Sequence, residues 1–559
     1  MAITDLVVEE GPELDPTDPY AREAQTFPRL RREMVQRVAA YGREERMPKD
    51  TMVFQRGDRS VDFFLVLEGS IEIFETDVRG EPFVVTVHGA RQFTGELDLF
   101  NERQILVSAR TGDDSRVVRI ARADFRRMMS SESDIGEIIM RALILRRVGL
   151  IRHAQGAVLI GPAHGADTLR LQRFLTRNAY PHRLLDTDAN PDAGGLLACC
   201  QIAAAQLPVV IAPGDRVLRN PANGILADAL GLTETLDPAA VFDVAVVGAG
   251  PAGLAAAVYA ASEGLRIIVL EATAPGGQAG TSSKIENYLG FPTGISGQAL
   301  AGRATVQAQK FGARLAIARA VAKLDCDTTP YRLYLDDGRP VQARAVVVAT
   351  GARYRKLAVE NYGRFEGQGI HYAATAMEAK LCTDEEVVVV GGGNSAGQAA
   401  VFLARTARHV HVLVRASGLA DTMSDYLVRR IESSRRITLH ARTEVTGLEG
   451  DNFLRQVTWK NRETGMSETR PIGNVFVMIG AEPNTEWLDG CLALDDKGFV
   501  RTGQDASGRA LASPFATTTP GVFAVGDVRS GSIKRVASGV GEGSVVVQAI
   551  HEFLNPGVA

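Results

Sequence analysis

Apolar and polar positions alternate with a period of two over the first part of the chain. The stretches FFLVLEGSIEIFE (63–75) and EPFVVTVHG (81–89) show this alternation and have glycine at their turns, which predicts strands. Beyond them, RVVRIARADFRRMMSSESDIGEIIMRALILRRVG changes from a period of two to a helical period. We therefore predict a β-barrel with helices over residues 21–153, after a polar tail at residues 1–20.

Residues 154–236 predict a small α/β domain. Apolar runs typical of strands occur in GAVLIGP, HRLLD, PVVIAPG and RVLRN, and helical stretches occur in ADTLRLQRFLTRNA, LLACCQIAAAQ and NGILADALGL. The linker LDPAAVFD then leads into a final region in which a strand, a glycine-rich turn and a small-residue helix occur twice. That doubling predicts two Rossmann-like three-layer α/β domains.

The first glycine-rich turn lies in VFDVAVVGAGPAGLAAAVYAASEGLRIIVLEA. Gly248 permits a tight turn, Gly250 lets a pyrophosphate approach the backbone, and Gly253 allows the helix to pack closely on the strand. The helix N-terminus favours an anion, and Glu271 can accept a hydrogen bond from a ribose 2′-hydroxyl. The strands, glycines, helix and acid occur in register, which predicts a dinucleotide site rather than a turn without a ligand.

The second glycine-rich turn lies in EEVVVVGGGNSAGQAAVFLARTARHVHVLVRA. Gly391, Gly393 and Ala396 occupy the fingerprint positions between an apolar strand and a small-residue helix. Arg415 stands where an acid would favour NAD, and an arginine suits the 2′-phosphate of NADP. The alternative is a decayed Rossmann unit kept only for packing.

The region from about 241 to 559 resembles the low-molecular-weight thioredoxin reductase family nearly end to end. The matching stretches are GAGPAG, GGQ, IENYLGF, VVVATGA, GGGNSA, IGAEPNT and TTTPGVFAVGD. The resemblance implies an FAD domain formed by residues 240–356 and 479–559, with an NAD(P)H domain, residues 357–478, inserted into it. The residues implied to hold FAD are Gly248, Gly250, Pro251, Ala252, Gly253, Glu271, Gly277, Gln278, Asn287, Val321, Thr350, Gly351, Gly526, Asp527, Arg535 and Val536. The residues implied to hold NADPH are Gly391, Gly393, Asn394, Ser395, Ala396 and Arg415, with NADH as the alternative nucleotide.

The chain departs from that family in its sulfur chemistry. Thioredoxin reductases carry a C-x-x-C pair just before the NADPH glycines, and a thiolate is the nucleophile in disulfide exchange. The matching stretch here, GIHYAATAMEAKLC, has Ala373 and Ala376 at the two cysteine positions, and Cys382 lies beyond them. The sequence therefore predicts that dithiol thioredoxin reductase chemistry is absent.

The flavin would still accept a hydride, because that redox chemistry belongs to the cofactor. Electrons would leave through a ferredoxin-like iron–sulfur protein, a quinone-like molecule or oxygen, and no residue selects among these acceptors. We assign no catalytic acid, base or nucleophile. His371 and Tyr372, expected in a loop, are the candidates for side chains near the flavin, and the alternative is that the histidine is merely solvated or packed.

Residues 154–236 resemble a thioredoxin/glutaredoxin-like domain. The resemblance lies in LPVVIAPGDRVLRNPANGILADALGL, and it implies that Pro208 follows a cis peptide bond. The redox motif of such a domain would follow the first strand, where this chain reads GPAHGAD without cysteine. Cys199 and Cys200 are adjacent on an apolar helix, which favours buried structural thiols. We interpret the domain as a spacer or docking domain.

Residues 21–153 resemble a cyclic-nucleotide-binding domain. The resemblance lies in RGD with DFFLVLEGSIEIF (56–74) and in FTGELDLF (93–100), and it implies that Gly95 and Glu96 contact a ligand. The cassette arginine that would neutralise a cyclic phosphate is replaced by NERQILVSAR, with Ile105 and Leu106 near its position. Arg103 would substitute after a loop shift; the alternative is a structural barrel or one with another ligand.

Composition excludes several classes of protein. The 559 residues carry a net charge of −4, which gives no indication of a nucleic-acid or lipid surface. The N-terminus lacks the basic and apolar regions of a secretory signal, and the five cysteines show no paired framework, as expected in a reducing cytoplasm. We predict a cytoplasmic protein, a homodimer by family resemblance, with no metal site, no nucleic acid and no membrane partner.

The leading hypothesis is an FAD-dependent, NAD(P)H-oxidising oxidoreductase with a regulatory N-terminal module. The alternative is a flavin-based redox or ligand sensor or scaffold with little turnover. Two modules that lack their usual functional residues, one its redox cysteines and one its phosphate arginine, favour that alternative.

Overall fold

The computed structural model describes residues 23–76, 82–95, 97–100, 104–153, 156–189, 202–213, 216–282, 285, 287–366, 368–372, 374, 376–420, 422–488 and 490–556. The polar tail and several residues singled out above, Glu96, Arg103, Cys199, Cys200 and Ala373, lie outside these residues. The chain divides into two compact units, residues 1–157 with 181–183 and residues 158–180 with 184–559.

The first unit is the β-rich domain that the alternating pattern predicts. Its helices are α1 (Glu23–Thr26), α2 (Arg32–Ala39), α3 (Arg122–Ser131) and α4 (Ser133–His153). Its strands are β1 (Arg43–Met47), β2 (Met52–Phe54), β3 (Phe63–Glu68), β4 (Ile71–Thr76), β5 (Pro82–His88), β6 (Ser108–Thr111) and β7 (Ser115–Ile120). They form two sheets, in the orders β1-β7-β3 and β2-β6-β4-β5. Phe63 stacks on Phe93 and Phe125 between sheet and helix, so the inward-facing aromatic residues form the core.

A four-stranded sheet opens the second unit. Its strands are β8 (Ala157–Gly161), β9 (His182–Asp186), β10 (Val209–Ala212) and β11 (Arg216–Arg219), in the order β11-β10-β8-β9. Strand β10 is antiparallel to both β8 and β11. Helices α5 (Ala166–Arg177) and α6 (Asn223–Ala229) accompany the sheet. The Leu207–Pro208 bond is cis, which confirms that prediction.

The largest sheet of the second unit follows. Its strands are β12 (Val241–Val247), β13 (Ile267–Glu271), β14 (Arg314–Ile317), β15 (Val321–Asp325), β16 (Tyr331–Leu335), β17 (Pro340–Val348) and β28 (Val522–Ala524). The order is β14-β13-β12-β17-β16-β15, with β28 paired to β17. Helices α7 (Pro251–Ser262), α8 (Gly297–Lys310) and α13 (Val536–Leu554) belong to this part of the chain. Strands β12, β13, β14, β17 and β28 run parallel, as a Rossmann-like fold requires.

A second parallel sheet is inserted between β17 and β28. Its strands are β19 (Ile370–His371), β20 (Glu386–Val390), β21 (His409–Leu413), β22 (Ile437–His440) and β26 (Asn474–Val477), in the order β19-β26-β20-β21-β22. A three-stranded antiparallel sheet is formed by β23 (Thr443–Gly450), β24 (Leu454–Asn461) and β25 (Ser467–Arg470). The helices are α9 (Tyr362–Phe365), α10 (Ala376–Leu381), α11 (Asn394–Leu403) and α12 (Asp425–Glu432). Strands β18 (Ala352–Tyr354) and β27 (Ala481–Pro483) pair antiparallel where the chain enters and leaves this insertion.

The cysteine prediction is wrong for two of the five residues. Cys326 and Cys491 are joined by a disulfide, with their Cα atoms 5.9 Å apart, which lies in the usual range for a bridge. Both side chains pack against the apolar cluster under the largest sheet. The two residues are 165 positions apart in sequence, so no local spacing announced the pair.

Helices α7 and α13 pack with their backbones in close approach. A Cβ built on Gly543 would lie 2.9 Å from Ala255 Cβ and 2.9 Å from Ala256 N, closer than real Cβ contacts. A Cβ on Gly541, in the same helix, would meet no atom within 4 Å. The two glycines therefore differ in packing but not in secondary structure.

We predict opposite effects of the same substitution at these two positions. Gly543→Ala should lower stability by roughly 1–3 kcal/mol, because the added methyl group forces the helices apart. Gly541→Ala should be neutral or stabilise by up to about 1 kcal/mol, because alanine favours a helix more than glycine does. Thermal unfolding followed by circular dichroism measures both, and equal melting temperatures for the two variants would contradict the packing described.

Candidate functional site

The first glycine-rich turn brings two strand ends into contact. Strand β12 ends at Val247, and Gly248 follows with φ +104°, a conformation that favours glycine. A Cβ on Gly248 would lie 2.8 Å from the Ala349 carbonyl carbon, and one on Gly253 would lie 3.2 Å from Ala349 Cβ. Both positions therefore require glycine for the close approach of β12, β17 and α7.

Gly250 differs from these two glycines because the space beside it is open. Its Cβ would meet no atom closer than Gly277 Cα, at 4.0 Å. Gly250 is the N-cap of α7 and Pro251 is the first residue of that helix. The backbone N–H groups of a helix N-terminus attract phosphate, so the open space fits the pyrophosphate of a dinucleotide.

Glu271 holds the glycine-rich turn from the end of β13. Its Oε2 accepts a hydrogen bond from Ala249 N at 2.8 Å, and its Oε1 accepts from Thr273 N at 2.9 Å and Ala274 N at 3.2 Å. A carboxylate has about four acceptor sites, so one remains for a ribose hydroxyl. Arg319 N donates to Glu271 O at 2.9 Å, which places Val321, at the start of β15, close to this acid.

The two halves of the predicted FAD domain are joined by a reciprocal pair of hydrogen bonds. Thr350 Oγ1 donates to Asn484 O at 2.8 Å, and Asn484 Nδ2 donates to Thr350 O at 3.0 Å. Gly351, which has φ +63°, accepts from Asn484 N through its carbonyl at 3.1 Å. Gln278 Nε2 donates to Ala352 O. Sequence matching identified Thr350 and Gly351 but missed Asn484, which lies in the motif IGAEPNT.

The segment after β28 contributes the turn at Gly526. Gly526 has φ +76°, and its N–H donates to Glu542 Oε2 at 2.6 Å. Glu542 also pairs with Arg529 at 2.8 Å, and sequence reasoning missed both residues because neither lies in a motif. Desolvation raises the pKa of Asp527, as expected for a carboxyl group that is largely removed from water. A ligand hydroxyl group would give this carboxyl a partner.

Two of the predicted flavin residues, Pro251 and Val536, line a common pocket. A pocket of about 340 Å³ is lined by Pro251 at the start of α7, by Gly276 and Gly280 of the loop before α8, and by Val536 at the start of α13. The structure does not bring every predicted residue inward. Asn287 and Arg535 are exposed, whereas the other predicted FAD residues are buried or half-buried.

The second glycine-rich turn repeats the construction of the first. Gly391 follows β20 with φ +140°, and a Cβ there would lie 2.8 Å from the Met478 carbonyl carbon after β26. Gly393 is the N-cap of α11, and its Cβ would meet nothing closer than Thr422 O at 4.0 Å. In the first turn of α11, Ser395 is exposed and Ala396 is buried. The open space beside Gly393 fits a second pyrophosphate.

A loop that sequence reasoning missed holds the second turn. Thr422 Oγ1 donates to Gly392 O at 2.8 Å, and Ser424 N donates to Asn394 Oδ1 at 2.7 Å. Asn394, which lies at a predicted NADPH position, therefore also accepts a hydrogen bond from the neighbouring loop. Strand β21 ends at Leu413, and Arg415 follows two residues later and is exposed. It therefore lies beyond the end of the strand next to the one that leads into this turn.

His371 does not lie in a loop, and that expectation is wrong. It belongs to β19 and its residue is 2 % exposed. Nδ1 lies 3.3 Å from Arg173 Nη2 and Nε2 lies 2.9 Å from Asn474 Oδ1. Because a guanidinium only donates, Nδ1 accepts and Nε2 carries the proton, so the ring is neutral. Burial lowers the pKa of His371 to about 4, so this ring is not a proton donor at neutral pH.

Tyr372 belongs to a cluster of tyrosines. Its hydroxyl donates to Glu366 Oε1 at 2.7 Å and accepts from Tyr362 at 2.9 Å, and its ring stacks on Tyr354 at 5.3 Å. Desolvation and the neighbouring Glu366 raise the pKa of Tyr372. The hydroxyl therefore stays protonated and serves to position its neighbours.

The one free thiol among the described residues is buried. Ala376 is the first residue of α10. Cys382, the free cysteine among the described residues, packs among apolar side chains, and burial raises the pKa of its thiol. A thiol in that environment is a poor nucleophile at neutral pH.

Gly95 of the N-terminal unit has φ +122°, and its carbonyl accepts from Arg146 Nη1 at 3.2 Å. Arg146 is buried and also donates to Phe93 O at 3.0 Å, so sequence reasoning missed a buried cation beside the predicted ligand position. Ile105 and Leu106 are both buried. Apolar side chains therefore stand near the predicted position of the cassette arginine.

Two kinds of feature are absent from the part of the chain that the structure describes. Nowhere among them do three or more histidine, cysteine, aspartate or glutamate side chains come together as a metal site would require. Within the same residues, every helix is too short or too polar to cross a membrane.

Two glycine-lined helix N-termini, each at the carboxyl end of its own parallel sheet, define a protein with two dinucleotide sites. Residues 242–543 match the family described as pyridine nucleotide-disulphide oxidoreductase, and residues 44–132 match the cyclic nucleotide-binding domain. Since the first match covers more than half of the chain, the chain belongs to the pyridine nucleotide-disulphide oxidoreductase family. The first unit contains a cyclic nucleotide-binding domain.

Relatives locate the resemblance more closely. The chain is 34 % identical over 307 residues to a thioredoxin reductase from Mycolicibacterium smegmatis, covering 54 % of this chain and 93 % of that protein. It is 32 % identical over 321 residues to NADPH-dependent thioredoxin reductase 3 from Arabidopsis thaliana, covering 56 % of this chain and 58 % of that protein. The solved thioredoxin reductase from Lactococcus lactis is 27 % identical with a TM-score of 0.51, covering 56 % of this chain and 99 % of that one. FAD and NADPH are the cofactors of this group of enzymes.

We predict that Gly250→Ala weakens FAD binding without unfolding the protein. The added methyl carbon would lie 4.0 Å from the nearest protein atom, so the protein itself can accommodate it. It would, however, occupy the position where a pyrophosphate approaches the backbone. The affinity for FAD should fall by at least about tenfold, measured by titrating apoprotein with FAD and following flavin fluorescence.

Gly302→Ala is the matched control, because a Cβ at this position in α8 would meet nothing within 4 Å. It should bind FAD as the unaltered protein does. An unchanged FAD affinity in Gly250→Ala would show that the pyrophosphate does not approach this backbone.

Proposed function

We propose that this protein is an FAD-dependent, NAD(P)H-oxidising oxidoreductase that passes electrons onward without dithiol chemistry. The observation that supports it best is the pair of open helix N-termini at Gly250 and Gly393, one in each parallel sheet. Each provides backbone N–H groups for a pyrophosphate. Two such cradles in one chain suit a flavin nucleotide and a nicotinamide nucleotide.

The absence of dithiol chemistry is proposed from the residues at the expected cysteine positions. Alanine stands at 373 and 376, and Cys382 is buried with a raised thiol pKa. Cys326 and Cys491 are already paired with each other. The relatives are named thioredoxin reductases, and this chain would have that activity only if another pair of thiols reached the flavin.

When FAD is bound, its flavin can accept a hydride and release electrons one or two at a time. The chain's own residues supply binding and orientation. Glu271 and Asp527 offer carboxyl groups to ribose and ribitol hydroxyls, and the pairing of Thr350 with Asn484 fixes the loop that closes the site. The acceptor is proposed to be a ferredoxin-like protein, a quinone-like molecule or oxygen.

The inserted region, residues 357–478, is proposed as the NAD(P)H domain and residues 240–356 with 479–559 as the FAD domain. The support is that each has its own parallel sheet with its own glycine turn. Arg415, exposed beyond the carboxyl end of β21, suits a 2′-phosphate, so NADPH is the proposed nucleotide.

Residues 154–236 are proposed to form a thioredoxin-like domain. The sheet order β11-β10-β8-β9, with β10 antiparallel to its neighbours, supports this assignment. The position of Pro208 also supports it, because a Cβ on Gly161 would lie 2.9 Å from Pro208 Cβ. Pro208 thus adjoins the end of β8, where the redox motif of such a domain would start and where GPAHGAD stands.

A regulatory role of this middle domain is favoured by its helix α5. Arg177 Nη2 donates to Gly277 O at 3.0 Å and Asn178 Nδ2 donates to Thr273 O at 3.1 Å, both in the FAD domain. Arg173 lies 3.4 Å from Glu378 and 3.3 Å from His371, both in the NAD(P)H domain. One helix and its C-cap residue therefore contact both domains.

These contacts also support the second candidate function, a flavin-based sensor or scaffold with little turnover. A helix that contacts both dinucleotide domains opposes their relative movement, and domain movement limits turnover in many enzymes. Rapid turnover with any acceptor would count against this alternative. A change of oligomer size on ligand binding, without turnover, would favour it.

Two further assignments remain predictions. A homodimer is expected by family resemblance, and exposed apolar side chains on the FAD domain, Tyr259, Leu289, Ile533 and Val545, suit a second copy. A cytoplasmic location is expected from the sequence.

We predict that NADPH reduces the bound flavin within seconds when the two are mixed anaerobically. The absorbance near 450 nm measures this reduction, and an ordinary rate for an enzyme is roughly 1–1000 per second. NADH should act more slowly. Gly393→Ala should retain FAD but slow reduction by both nucleotides, because the methyl group projects into the open second cradle.

Gly302→Ala again serves as the control and should behave as the unaltered protein. A flavin that stays oxidised for minutes with both nucleotides would contradict the oxidoreductase proposal. Repeating the reaction with thioredoxin, ferredoxin, a quinone and oxygen identifies the acceptor, and steady reduction of thioredoxin would contradict the absence of dithiol chemistry.

We also predict that neither cyclic AMP nor cyclic GMP binds the N-terminal domain. Ile105 and Leu106 are buried near the position of the phosphate-neutralising arginine, and an uncompensated buried phosphate costs several kcal/mol. Isothermal titration of the full chain should give no binding heat with either nucleotide. Saturable heat with either one would show that a different cation, such as Arg103, completes the cassette.

A further inference from the structure

A second arginine lies beside the predicted 2′-phosphate position, on a neighbouring strand. Strands β21 and β22 are parallel, with Leu413 opposite His440. The segments that follow the two strands are also hydrogen-bonded to each other, since Thr443 N donates to Val414 O at 2.9 Å and Arg442 N donates to Ala416 O at 2.9 Å. Arg442 therefore lies directly across from the residue that follows Arg415.

Backbone hydrogen bonds and an ion pair with Glu463 hold Arg442 at this sheet edge. Its φ is +53°, so the chain turns sharply at this residue. Its Nη1 lies 2.7 Å from Glu463 Oε1, with the two side chains 48 % and 61 % exposed. The guanidinium is thus ordered but still open to solvent on one side.

The pair with Glu463 does not prevent a phosphate from using Arg442. An exposed ion pair contributes little to stability, typically between about 0 and 1 kcal/mol. A guanidinium prefers a doubly charged phosphate, which it contacts with two parallel hydrogen bonds. Replacing the Glu463 carboxylate by a phosphate as the partner of Arg442 therefore costs little free energy.

The position of Arg442 also agrees with the direction a dinucleotide takes. In open α/β sheets ligands lie beyond the carboxyl ends of the strands. Arg415 and Arg442 follow the carboxyl ends of adjacent strands, on the same edge as the turn at Gly391 to Gly393. A nucleotide with its pyrophosphate at that turn extends its adenosine end along this edge.

We propose that Arg442 is the second cation of the 2′-phosphate site and determines the preference for NADPH together with Arg415. Ala416, which follows Arg415, is uncharged, so Arg442 would supply the second positive charge at this strand edge. This inference rests on the proposed function, because it assigns the selectivity of the same nicotinamide nucleotide site.

Binding of nucleotide fragments tests the proposal without any turnover. Isothermal titration of the FAD-loaded protein should show that 2′,5′-ADP binds more tightly than 5′-AMP. Arg442→Ala should weaken 2′,5′-ADP by about tenfold and leave 5′-AMP unchanged, because only the former carries the 2′-phosphate. Arg442→Lys, which keeps the charge but loses the bidentate geometry, should show an intermediate loss.

Two further variants serve as controls. Arg408→Ala removes an exposed arginine before the amino end of β21, where it pairs with Glu386 at 3.6 Å, and should bind both fragments normally. Glu463→Gln removes the competing carboxylate and should leave 2′,5′-ADP binding equal or tighter. Retained FAD absorbance and melting temperature show that each variant is folded, and if Arg442→Ala is unfolded, the lysine and glutamine variants decide the question.

Flavin reduction provides the second measurement. The ratio of the second-order reduction rates with NADPH and NADH should fall about tenfold in Arg442→Ala and stay constant in Arg408→Ala. Wild-type affinity of Arg442→Ala or Arg442→Lys for 2′,5′-ADP would overturn the proposal, as would equal affinity of the unaltered protein for the two fragments. If neither nucleotide reduces the flavin of the unaltered protein, the oxidoreductase function fails, whereas the titrations still decide whether Arg442 binds a 2′-phosphate.

Discussion

The close contact between the ends of β12 and β17 is the constraint on which the flavin region depends. The strands are parallel, with Val247 opposite Val348, and the next residues, Gly248 and Ala349, bring their backbones together. This contact sets where α7 begins, and the helix start sets where a pyrophosphate can bind. Glu271 then fixes the turn through three backbone N–H groups. One added methyl group at Gly248 would separate the strand ends that form the site.

The inserted sheet repeats the same contact at the proposed NAD(P)H site. Gly391 lies against Met478 as Gly248 lies against Ala349. The difference between the two sites lies one strand further on, where an acid follows β13 and an arginine follows β21. The same backbone construction therefore fits a pyrophosphate at both proposed sites, and the proposed preference for NADPH depends on the charge at the neighbouring strand end.

Local sequence patterns predicted the elements and the turns, because glycine spacing, strand alternation and strand-helix order are encoded within a few residues. They predicted the β-rich N-terminal domain and the two parallel sheets, whereas the cis bond before Pro208 was implied by the resemblance to a thioredoxin-like domain. Contacts between distant residues were not predictable in this way. The Cys326–Cys491 bridge and the burial of His371 against Arg173 depend on which segments the tertiary fold brings together. The reciprocal hydrogen bonds between Thr350 and Asn484 were only partly predictable. Each residue lies in a recognised motif, but neither motif indicates that the other residue is its partner.

The pairing of β18 with β27 has a consequence for how this chain could be assembled. Ala352 is opposite Pro483, so the inserted region begins and ends at neighbouring points. An insertion whose ends adjoin leaves the host sheet continuous, since β17 and β28 pair whatever lies between them. A gene encoding this protein could therefore exchange the inserted segment as a single block. Under the proposed domain assignment, nucleotide preference and flavin binding could then be altered separately, because the block would carry the first and the host the second.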